Sequence, residues 1–166
     1  PITIVNDVRS IVMHGTSHKV LYNVGDALDT SVGEIEVTRA VGSAEVVALN
    51  DGRVAVTGFD SSAEVASLPL TVTFTENGIP ATTTYNVEVR DMVTSLTMGD
   101  LLNKTVYKYN EPLDLTGATI NVVRGSGSAT IQVTSDMVSG YKPAILGDQT
   151  ITVTYGGLTT SFVVTV

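Results

Sequence analysis

The sequence lacks cysteine and tryptophan, and it contains only nine lysine and arginine residues against 17 aspartate and glutamate residues. Without cysteine the chain forms no disulfides and offers no thiolate to zinc or to a substrate. Its formal charge is −8 and its basic residues are scattered, so no patch can neutralise several phosphates in a row. Nucleic acid is therefore excluded as a partner, and anionic membranes would repel the chain.

Long apolar runs are also missing from the sequence. No segment approaches the ~18 to 20 residues that a membrane-spanning helix needs. Residue 1 opens directly on a strand-like segment, not on the charged and apolar regions of a signal peptide. We therefore expect a soluble chain without membrane insertion, with any export signal lying outside it.

β-Branched residues dominate what is present, because the chain contains 26 valines and 24 threonines. This bias favours strands over helices. Ile151, Val153 and Tyr155 alternate with threonines and so share one face of a strand, and Gly156 and Gly157 after them suit a two-residue hairpin turn. The best helix candidate, residues 61–66, is too short to be stable alone. The sequence therefore predicts an all-β protein.

The chain contains two copies of one pattern. Residues 22–44 align with residues 109–129 after a two-residue deletion near Gly25, which places Tyr22 on Tyr109. Most of the other matches share one constant offset along the chain. They include Val8 with Val93, Ser10 with Ser95, Ile35 with Ile120, Val37 with Val122, Arg39 with Arg124, residues 42–44 with 127–129, and, at smaller offsets, 71–74 with 152–155 and 85–89 with 162–166.

The repeat divides the chain into two units, 1–90 and 91–166. Each unit consists of short alternating strands separated by turn residues, the pattern typical of a small antiparallel β-sandwich. In the first unit, residues 76–80 predict a longer turn. The junction at residues 89–93 has no glycine, proline or serine-rich spacer, so we expect two domains held end to end with limited bending.

Several motifs of the second unit form one combined pattern: Tyr109, LDLTG at 113–117, Ile120, Val122, Gly127, Ser128, Gly140, Tyr141, Gly147 and the closing ITVTYGGLTTSFVVTV. In this combination the unit resembles a bacterial immunoglobulin-like (Ig-like) domain of group 3. The first unit is a poorer copy, since Phe59 and Asp60 replace Gly140, Tyr141 and Lys142. The resemblance implies two tandem Ig-like β-sandwiches of seven strands. Such modules occur in large exported or cell-wall-attached bacterial proteins, mostly as spacers or adhesin stalks.

Carboxylates recur at matching places, Asp26 and Asp29 in the first unit and Glu111 and Asp114 in the second. Calcium prefers several such oxygen ligands, so these four residues are candidate calcium ligands. The spacing of known calcium loops is absent, and the preferred interpretation is that Asp29 and Asp114 accept backbone hydrogen bonds in a turn. We predict no catalytic residue and no cofactor, with calcium as the alternative at these carboxylates.

Two further groups of side chains have a functional and a structural interpretation. His14 and His18 flank a Gly-Thr-Ser turn signal, which favours ordinary loop histidines over metal ligands. Tyr107 and Tyr109 share a predicted strand face, where they pack in the core or, alternatively, stack on sugar rings. The sequence contains no recognisable catalytic triad, phosphate loop or paired catalytic carboxylates, so we expect no enzymatic activity.

These features predict a non-catalytic spacer or stalk segment of a larger bacterial cell-surface or secreted protein. Its partners are then the other domains of the same chain, and we expect a monomer. One alternative is an adhesin-type binding module that recognises a host protein or glycan through loops 58–68 and 76–81. Another is an accessory domain of a secreted polysaccharide-degrading enzyme. The expected location is extracellular in each case.

Overall fold

The computed structural model describes residues 6–166 and divides the chain into two compact units, Pro1–Asp91 and Met92–Val166. The described residues form thirteen strands and no helix. Unit 1 contains β1 (Val8–His14), β2 (Leu21–Asn23), β3 (Glu34–Arg39), β4 (Glu45–Ala48), β5 (Val54–Thr57), β6 (Val65–Glu76) and β7 (Ile79–Arg90). Unit 2 contains β8 (Val93–Met98), β9 (Thr119–Arg124), β10 (Gly127–Gln132), β11 (Val138–Ser139), β12 (Asp148–Tyr155) and β13 (Leu158–Thr165). The strand-like segment expected at residues 1–5 lies outside the described residues.

Each unit contains two sheets. In unit 1 the sheets have the orders β1-β3-β4 and β2-β7-β6-β5, and all pairs are antiparallel except β2 with β7. In unit 2 the orders are β10-β9-β8 and β11-β12-β13, all antiparallel. An isolated parallel bridge between Val106 and Thr165 takes the place that β2 has in unit 1. The prediction of all-β sandwiches is confirmed.

Alternation along the strands fills a separate core in each unit. On β12, Ile151 and Val153 are fully buried while the threonine between them is half-buried. The cores surround Tyr22 and Phe74 in unit 1 and Ile120 in unit 2. Burying each such side chain stabilises the fold by roughly 1.5–3 kcal/mol. These cores position the loops described below.

The two units share their strand registers. Ile11 lies opposite Val37 in the β1–β3 pair, as Leu96 lies opposite Val122 in the β8–β9 pair. Both pairs carry a bulge near the start of their first strand. The predicted repeat is therefore confirmed in these strands, at the same constant offset that the sequence shows.

The sequence alignment is wrong at the tyrosines. Tyr22 corresponds to Tyr107, because both are buried and both hydroxyls contact the main chain of an aspartate seven residues later. Tyr109 lies in a turn and is 60% exposed, so it does not share a strand face with Tyr107. The identical Tyr-Asn dipeptides at 22 and 109 produced the false match. No two-residue deletion is needed near Gly25.

The match between residues 42–44 and 127–129 is also wrong, by one residue. Glu45 lies opposite Val37, and Ala129 lies opposite Val122. Since Val37 and Val122 are equivalent, Glu45 takes the place of Ala129. The turn before β4 is one residue longer than the turn before β10, and the shared Gly-Ser-Ala tripeptide hides this difference.

The predicted longer turn at residues 76–80 is a two-residue turn instead. Glu76 pairs with Ile79, so only Asn77 and Gly78 form the turn, both at positive φ. This is the Asn-Gly pattern of a tight hairpin. In unit 2, Gly156 and Gly157 form the predicted two-residue turn between Tyr155 and Leu158. Unit 1 therefore has longer strands here rather than a longer turn.

Residues 61–66 form no helical turn. Val65 and Ala66 open β6, and the residues before them form a bend. The serine and glutamate that suggested a helix start make other contacts. Ser61 Oγ donates to the Asp26 carbonyl at 2.6 Å, and the Glu64 carboxylate accepts the Asp91 N–H at 2.9 Å. Contacts with distant segments thus decide the local conformation.

Candidate functional site

In unit 1, a group of side chains surrounds Tyr22, which lies on β2 and is fully buried. Its ring packs edge-on against Phe59, with the centroids 4.7 Å apart. Lys19 Nζ lies 4.4 Å from the centroid of the Tyr22 ring and 3.5 Å from an Asp26 carboxylate oxygen. The Tyr22 hydroxyl contacts the main chain of Asp29 at 3.4 Å. We call Lys19, Tyr22, Asp26, Asp29 and Phe59 the unit 1 tyrosine cluster.

Unit 2 contains the same arrangement around Tyr107. The Tyr107 ring packs edge-on against Tyr141, with the centroids 5.6 Å apart, and Lys104 Nζ lies 5.0 Å from the Tyr107 centroid. Lys104 also pairs with the Glu111 carboxylate. The Tyr107 hydroxyl lies 2.8 Å from the Lys104 carbonyl and 3.0 Å from the Asp114 carbonyl. We call Lys104, Tyr107, Glu111, Asp114 and Tyr141 the unit 2 tyrosine cluster.

Two of the four candidate calcium ligands pair with these lysines. Asp26 accepts the Asn23 N–H at 2.9 Å, and Glu111 accepts the Lys108 N–H at 2.8 Å, so each carboxylate closes a turn of four residues. A side-chain hydrogen bond from Lys104 lowers the pKa of Glu111, which keeps that carboxylate ionised.

The other two candidate ligands hold the turns predicted for them. Asp29 accepts hydrogen bonds from the Ser31 N–H at 2.9 Å and from its hydroxyl at 2.6 Å. Asp114 accepts the same pair from Thr116, at 3.0 and 2.6 Å. These hydroxyls lower the pKa of both carboxylates. Within residues 6–166, no group of three or more histidine and acidic side chains is placed to hold a metal ion.

Backbone conformation fixes the loops around each cluster. Gly25 and Asn110 occupy equivalent positions at positive φ, of 85° and 63°. The Gly25 N–H donates to the Ser61 carbonyl at 2.9 Å, and the Asn110 N–H donates to the Pro143 carbonyl at 2.8 Å. The left-handed conformation is therefore kept while the residue differs, since asparagine tolerates it better than other side chains.

Phe59 and Tyr141 are also equivalent, so this part of unit 1 departs from the group 3 pattern less than the sequence indicated. Each follows a glycine at positive φ, Gly58 at 92° and Gly140 at 98°. A Cβ at Gly58 would lie 3.1 Å from the Pro69 carbonyl oxygen, and one at Gly140 would lie 2.7 Å from a carbonyl oxygen of β12. The glycines let the loop pass close to the neighbouring strand and deliver the aromatic ring to its tyrosine.

An ion network distinguishes unit 1 from unit 2. Arg39 Nε donates to Glu76 at 2.8 Å, and its guanidinium also pairs with Glu45. Arg53 lies within 3.3 Å of Glu45, Asp51 and Glu76 carboxylate oxygens. Hydrogen bonds from Arg39 lower the pKa of both glutamates. The five side chains together hold β3, β4, the β4–β5 turn and the β6–β7 hairpin.

Arg124 occupies the position of Arg39 in unit 2 but has different partners. Its guanidinium donates to the Tyr155 hydroxyl at 2.8 Å and lies 5.5 Å from that ring's centroid. Ala129 stands where unit 1 has Glu45. Tyr155 thus takes the place that Glu76 and Glu45 have beside Arg39, so the network is not part of what the two units share.

The two histidines lie apart, each with its own surroundings. His14 Nδ1 is 3.5 Å from a Glu36 carboxylate oxygen on the neighbouring strand. The His18 ring packs edge-on against Tyr85 with the centroids 4.9 Å apart, and its buried Nδ1 has no hydrogen-bond partner among the described residues. Burial raises the pKa of Tyr85 to about 12. His14 is thus the last residue of β1 and not a loop residue, and the two histidines have different neighbours.

The surface of unit 2 carries a shallow cleft of about 230 Å³ along strands β9 and β10. Its lining consists of Asn121, Val122, Val123, Ser128, Ala129 and Thr130, none of which is ionisable. The exposed Tyr109 is not among these lining residues. Among residues 6–166, no helix is long and apolar enough to cross a membrane.

Sequence reasoning missed the two lysines of the clusters. Lys19 and Lys104 are related by the same offset as Tyr22 and Tyr107, and each lysine lies three residues before its tyrosine. The correct offset was therefore visible in the sequence. Placing Tyr22 on Tyr109 concealed it.

The comparisons with known proteins point to one family. The family model described as bacterial Ig-like domain (group 3) matches residues 16–89 and again residues 102–166. One match lies in each unit, so the family model recognises both copies. No curated protein matches the chain.

Proposed function

The chain belongs to the group 3 bacterial Ig-like domain family, and we propose that it is a non-catalytic spacer segment of a larger bacterial cell-surface or secreted protein. Domains of this family are typically found in extracellular or surface proteins of bacteria, and Ig-like domains are generally non-catalytic. The proposed partners are the other domains of the same chain, and the proposed state is a monomer.

The observation that carries the proposal is the tyrosine cluster, which recurs in both units. The conspicuous polar groups of each cluster are used to hold loops and strands: lysines cover rings, and carboxylates accept backbone N–H groups. The two units differ elsewhere, for instance in the ion network. What is common to them is thus a device for stability, which is what a spacer requires of each module.

The connection between the units also supports the proposal. β7 ends at Arg90 and β8 begins at Val93, so only Asp91 and Met92 separate two strands. A connection this short contains none of the glycine, proline or serine residues of a flexible linker.

The proposal is tested in the parent protein on the bacterial surface. One strain carries a deletion of residues 1–166, and a second carries an unrelated pair of Ig-like domains of equal length in their place. A spacer predicts that deletion reduces antibody access to the domains beyond this segment and that the unrelated pair restores it. Loss of function with the unrelated pair, despite restored access, would indicate specific recognition by this segment.

The adhesin alternative depends on the loops of unit 1, and these loops are tightly held. The 58–68 segment is pinned by the ring of Phe59 on Tyr22 and by Ser61 on the Asp26 carbonyl. The 76–81 segment is largely a hairpin tip with a two-residue turn. The replacement experiment separates this alternative from the spacer role, because an unrelated pair of Ig-like domains would not restore the binding function of an adhesin.

A further inference from the structure

Unit 1 contains a parallel connection between the beginning and the end of its chain. β2 is the second strand of the unit and runs parallel to β7, the last strand. The Glu88 N–H donates to the Val20 carbonyl at 2.8 Å, and the Val24 N–H donates to the Arg90 carbonyl at 3.0 Å. We call this pairing the unit 1 terminal clamp.

Unit 2 contains the equivalent connection. Val106 forms a parallel bridge with Thr165 on the last strand, β13. The Thr165 N–H donates to the Thr105 carbonyl at 2.9 Å, and the Tyr107 N–H donates to the Thr165 carbonyl at 2.8 Å. We call this pairing the unit 2 terminal clamp. In each unit, the clamp is the one parallel pairing among the described strands.

Tension on a unit acts on a parallel pairing in a particular way. A pull on the two ends of the unit draws its early segment toward the N-terminus and its last strand toward the C-terminus. Because these segments are parallel, the two pulls act in opposite directions along the strand axis. The hydrogen bonds between them are then loaded together, whereas a hairpin pulled from its open end loses its bonds one at a time.

We propose that the terminal clamp is the element that resists tension in each unit and that the tyrosine cluster anchors it. Tyr22 and Tyr107 themselves lie in the clamped segments, and each is buried in the core of its unit. Each hydroxyl contacts the main chain of the loop that follows, and a lysine ammonium group lies over each ring. The clamped segment is therefore fixed by main-chain bonds on one side and by a buried side chain on the other.

One observation connects the proposal to both units. The clamp and the cluster occur in both units at equivalent positions, although the ion network occurs in unit 1 alone. The proposal rests on the spacer function only for the source of the tension, since resistance to tension is a property of the chain itself.

The test is single-molecule stretching of the whole chain between two handles at constant force, recording the lifetime of each unit. Unit 1 is longer than unit 2, so the gain in length on unfolding identifies which unit has opened. Glu88→Pro removes the N–H donor of the unit 1 clamp, and Thr165→Pro removes its equivalent in unit 2. Each should shorten the lifetime of its own unit roughly fivefold or more at a given load, as expected for one lost hydrogen bond, and leave the other unit unchanged.

Matched controls remove a backbone donor away from the clamps. The Thr75 N–H donates to the Arg53 carbonyl at 2.9 Å, and the Thr154 N–H donates to the Met137 carbonyl at 2.8 Å. Thr75→Pro and Thr154→Pro should lower thermal stability but leave the lifetime under load nearly unchanged. Glu88→Ala and Thr165→Ala keep the N–H donor and control for the lost side chains.

The proposal is overturned if the control prolines shorten the lifetimes as much as the clamp prolines, or if the clamp prolines have no effect. Where Thr165→Pro does not fold, Tyr107→Phe replaces it and should shorten the lifetime of unit 2 alone; where Glu88→Pro does not fold, the unit 2 variants decide the test. These outcomes are independent of the deletion experiment in the parent protein. The stretching experiment reports only whether the clamp resists tension, and the deletion experiment reports only whether the segment is a spacer. Failure of one proposal is therefore distinguishable from failure of the other.

Discussion

Replacing Tyr107 by phenylalanine removes a hydroxyl from the core of unit 2 while keeping the ring. The hydroxyl has one proton, which it donates to the Lys104 carbonyl at 2.8 Å or the Asp114 carbonyl at 3.0 Å, and it accepts the Asp114 N–H at 3.3 Å. Tyr107 is only 4% exposed, so water cannot take over these bonds. Removing the donor leaves a buried carbonyl oxygen unsatisfied, which costs about 1–3 kcal/mol, so we expect a loss of about 2 kcal/mol in the stability of unit 2.

Tyr22→Phe is the matched control in unit 1. Its two hydroxyl contacts, both to the Asp29 main chain, are 3.4 Å long. Contacts of that length are weak, so we expect a loss of roughly 0.5 kcal/mol. The two substitutions are chemically identical, and the difference between them comes from the shorter contacts of the Tyr107 hydroxyl and from its additional partner, the Lys104 carbonyl.

Hydrogen exchange followed by mass spectrometry measures the two units separately in the intact chain. Tyr107→Phe should speed the slowest exchange in unit 2 by about thirtyfold, which corresponds to about 2 kcal/mol, and leave unit 1 unchanged. Tyr22→Phe should speed exchange in unit 1 by only two- to threefold. Equal effects of the two substitutions, or an effect of Tyr107→Phe spread over both units, would refute the reasoning.

Four further predictions follow from the same contacts. Gly140→Ala should lower the stability of unit 2 by about 2 kcal/mol or more in denaturant titrations, because it combines positive φ with a Cβ against a carbonyl oxygen; an unchanged midpoint would contradict this. Ala129→Glu should stabilise unit 2 by a few tenths to about 1 kcal/mol by giving Arg124 a carboxylate, and high salt should remove the gain. The lowered pKa values of Asp29 and Asp114 contribute stability above the unfolded pKa of about 3.9, so the unfolding midpoint should drop as the pH falls below about 4 and not on the alkaline side. Millimolar calcium should shift the thermal midpoint only slightly, whereas a specific site saturated a hundredfold would add about 2.7 kcal/mol.

The strands and the repeat could be predicted because they depend on side-chain alternation. Ile151 and Val153 are buried because every second residue of a strand faces the core, and this period of two is visible in the sequence. The constant offset between the two units is visible for the same reason. Hydrophobic patterning and turn residues therefore account for the sandwich architecture.

The tyrosine cluster could not be predicted with the same certainty, because two tyrosines lie two residues apart in unit 2. Both fit the alternating pattern, and only the core decides that Tyr107 is buried and Tyr109 exposed. The contact between Lys19 and the Tyr22 ring depends on how the segment before β2 curves, which no local pattern encodes. Side-chain partners across loops are set by packing.

The ion network shows a second kind of difficulty. Glu76 reaches Arg39 because the β6–β7 hairpin extends beyond the residues that match unit 2. The sequence alone predicts a longer turn in place of that extension. Since Asn-Gly is a strong signal for a two-residue turn, the strand length was available from the sequence, but the arginine partner on another sheet was not.

The β6–β7 hairpin also has a practical consequence for engineering. Its tip is longer than the β12–β13 tip by two residue pairs, yet the sandwiches beneath keep the same registers. The scaffold thus accepts length changes at this tip. An epitope or a protease recognition sequence grafted between Asn77 and Gly78 should be displayed without unfolding unit 1, provided that Glu76 keeps its arginine partners. Because the chain has no cysteine, a single cysteine grafted there could be labelled selectively.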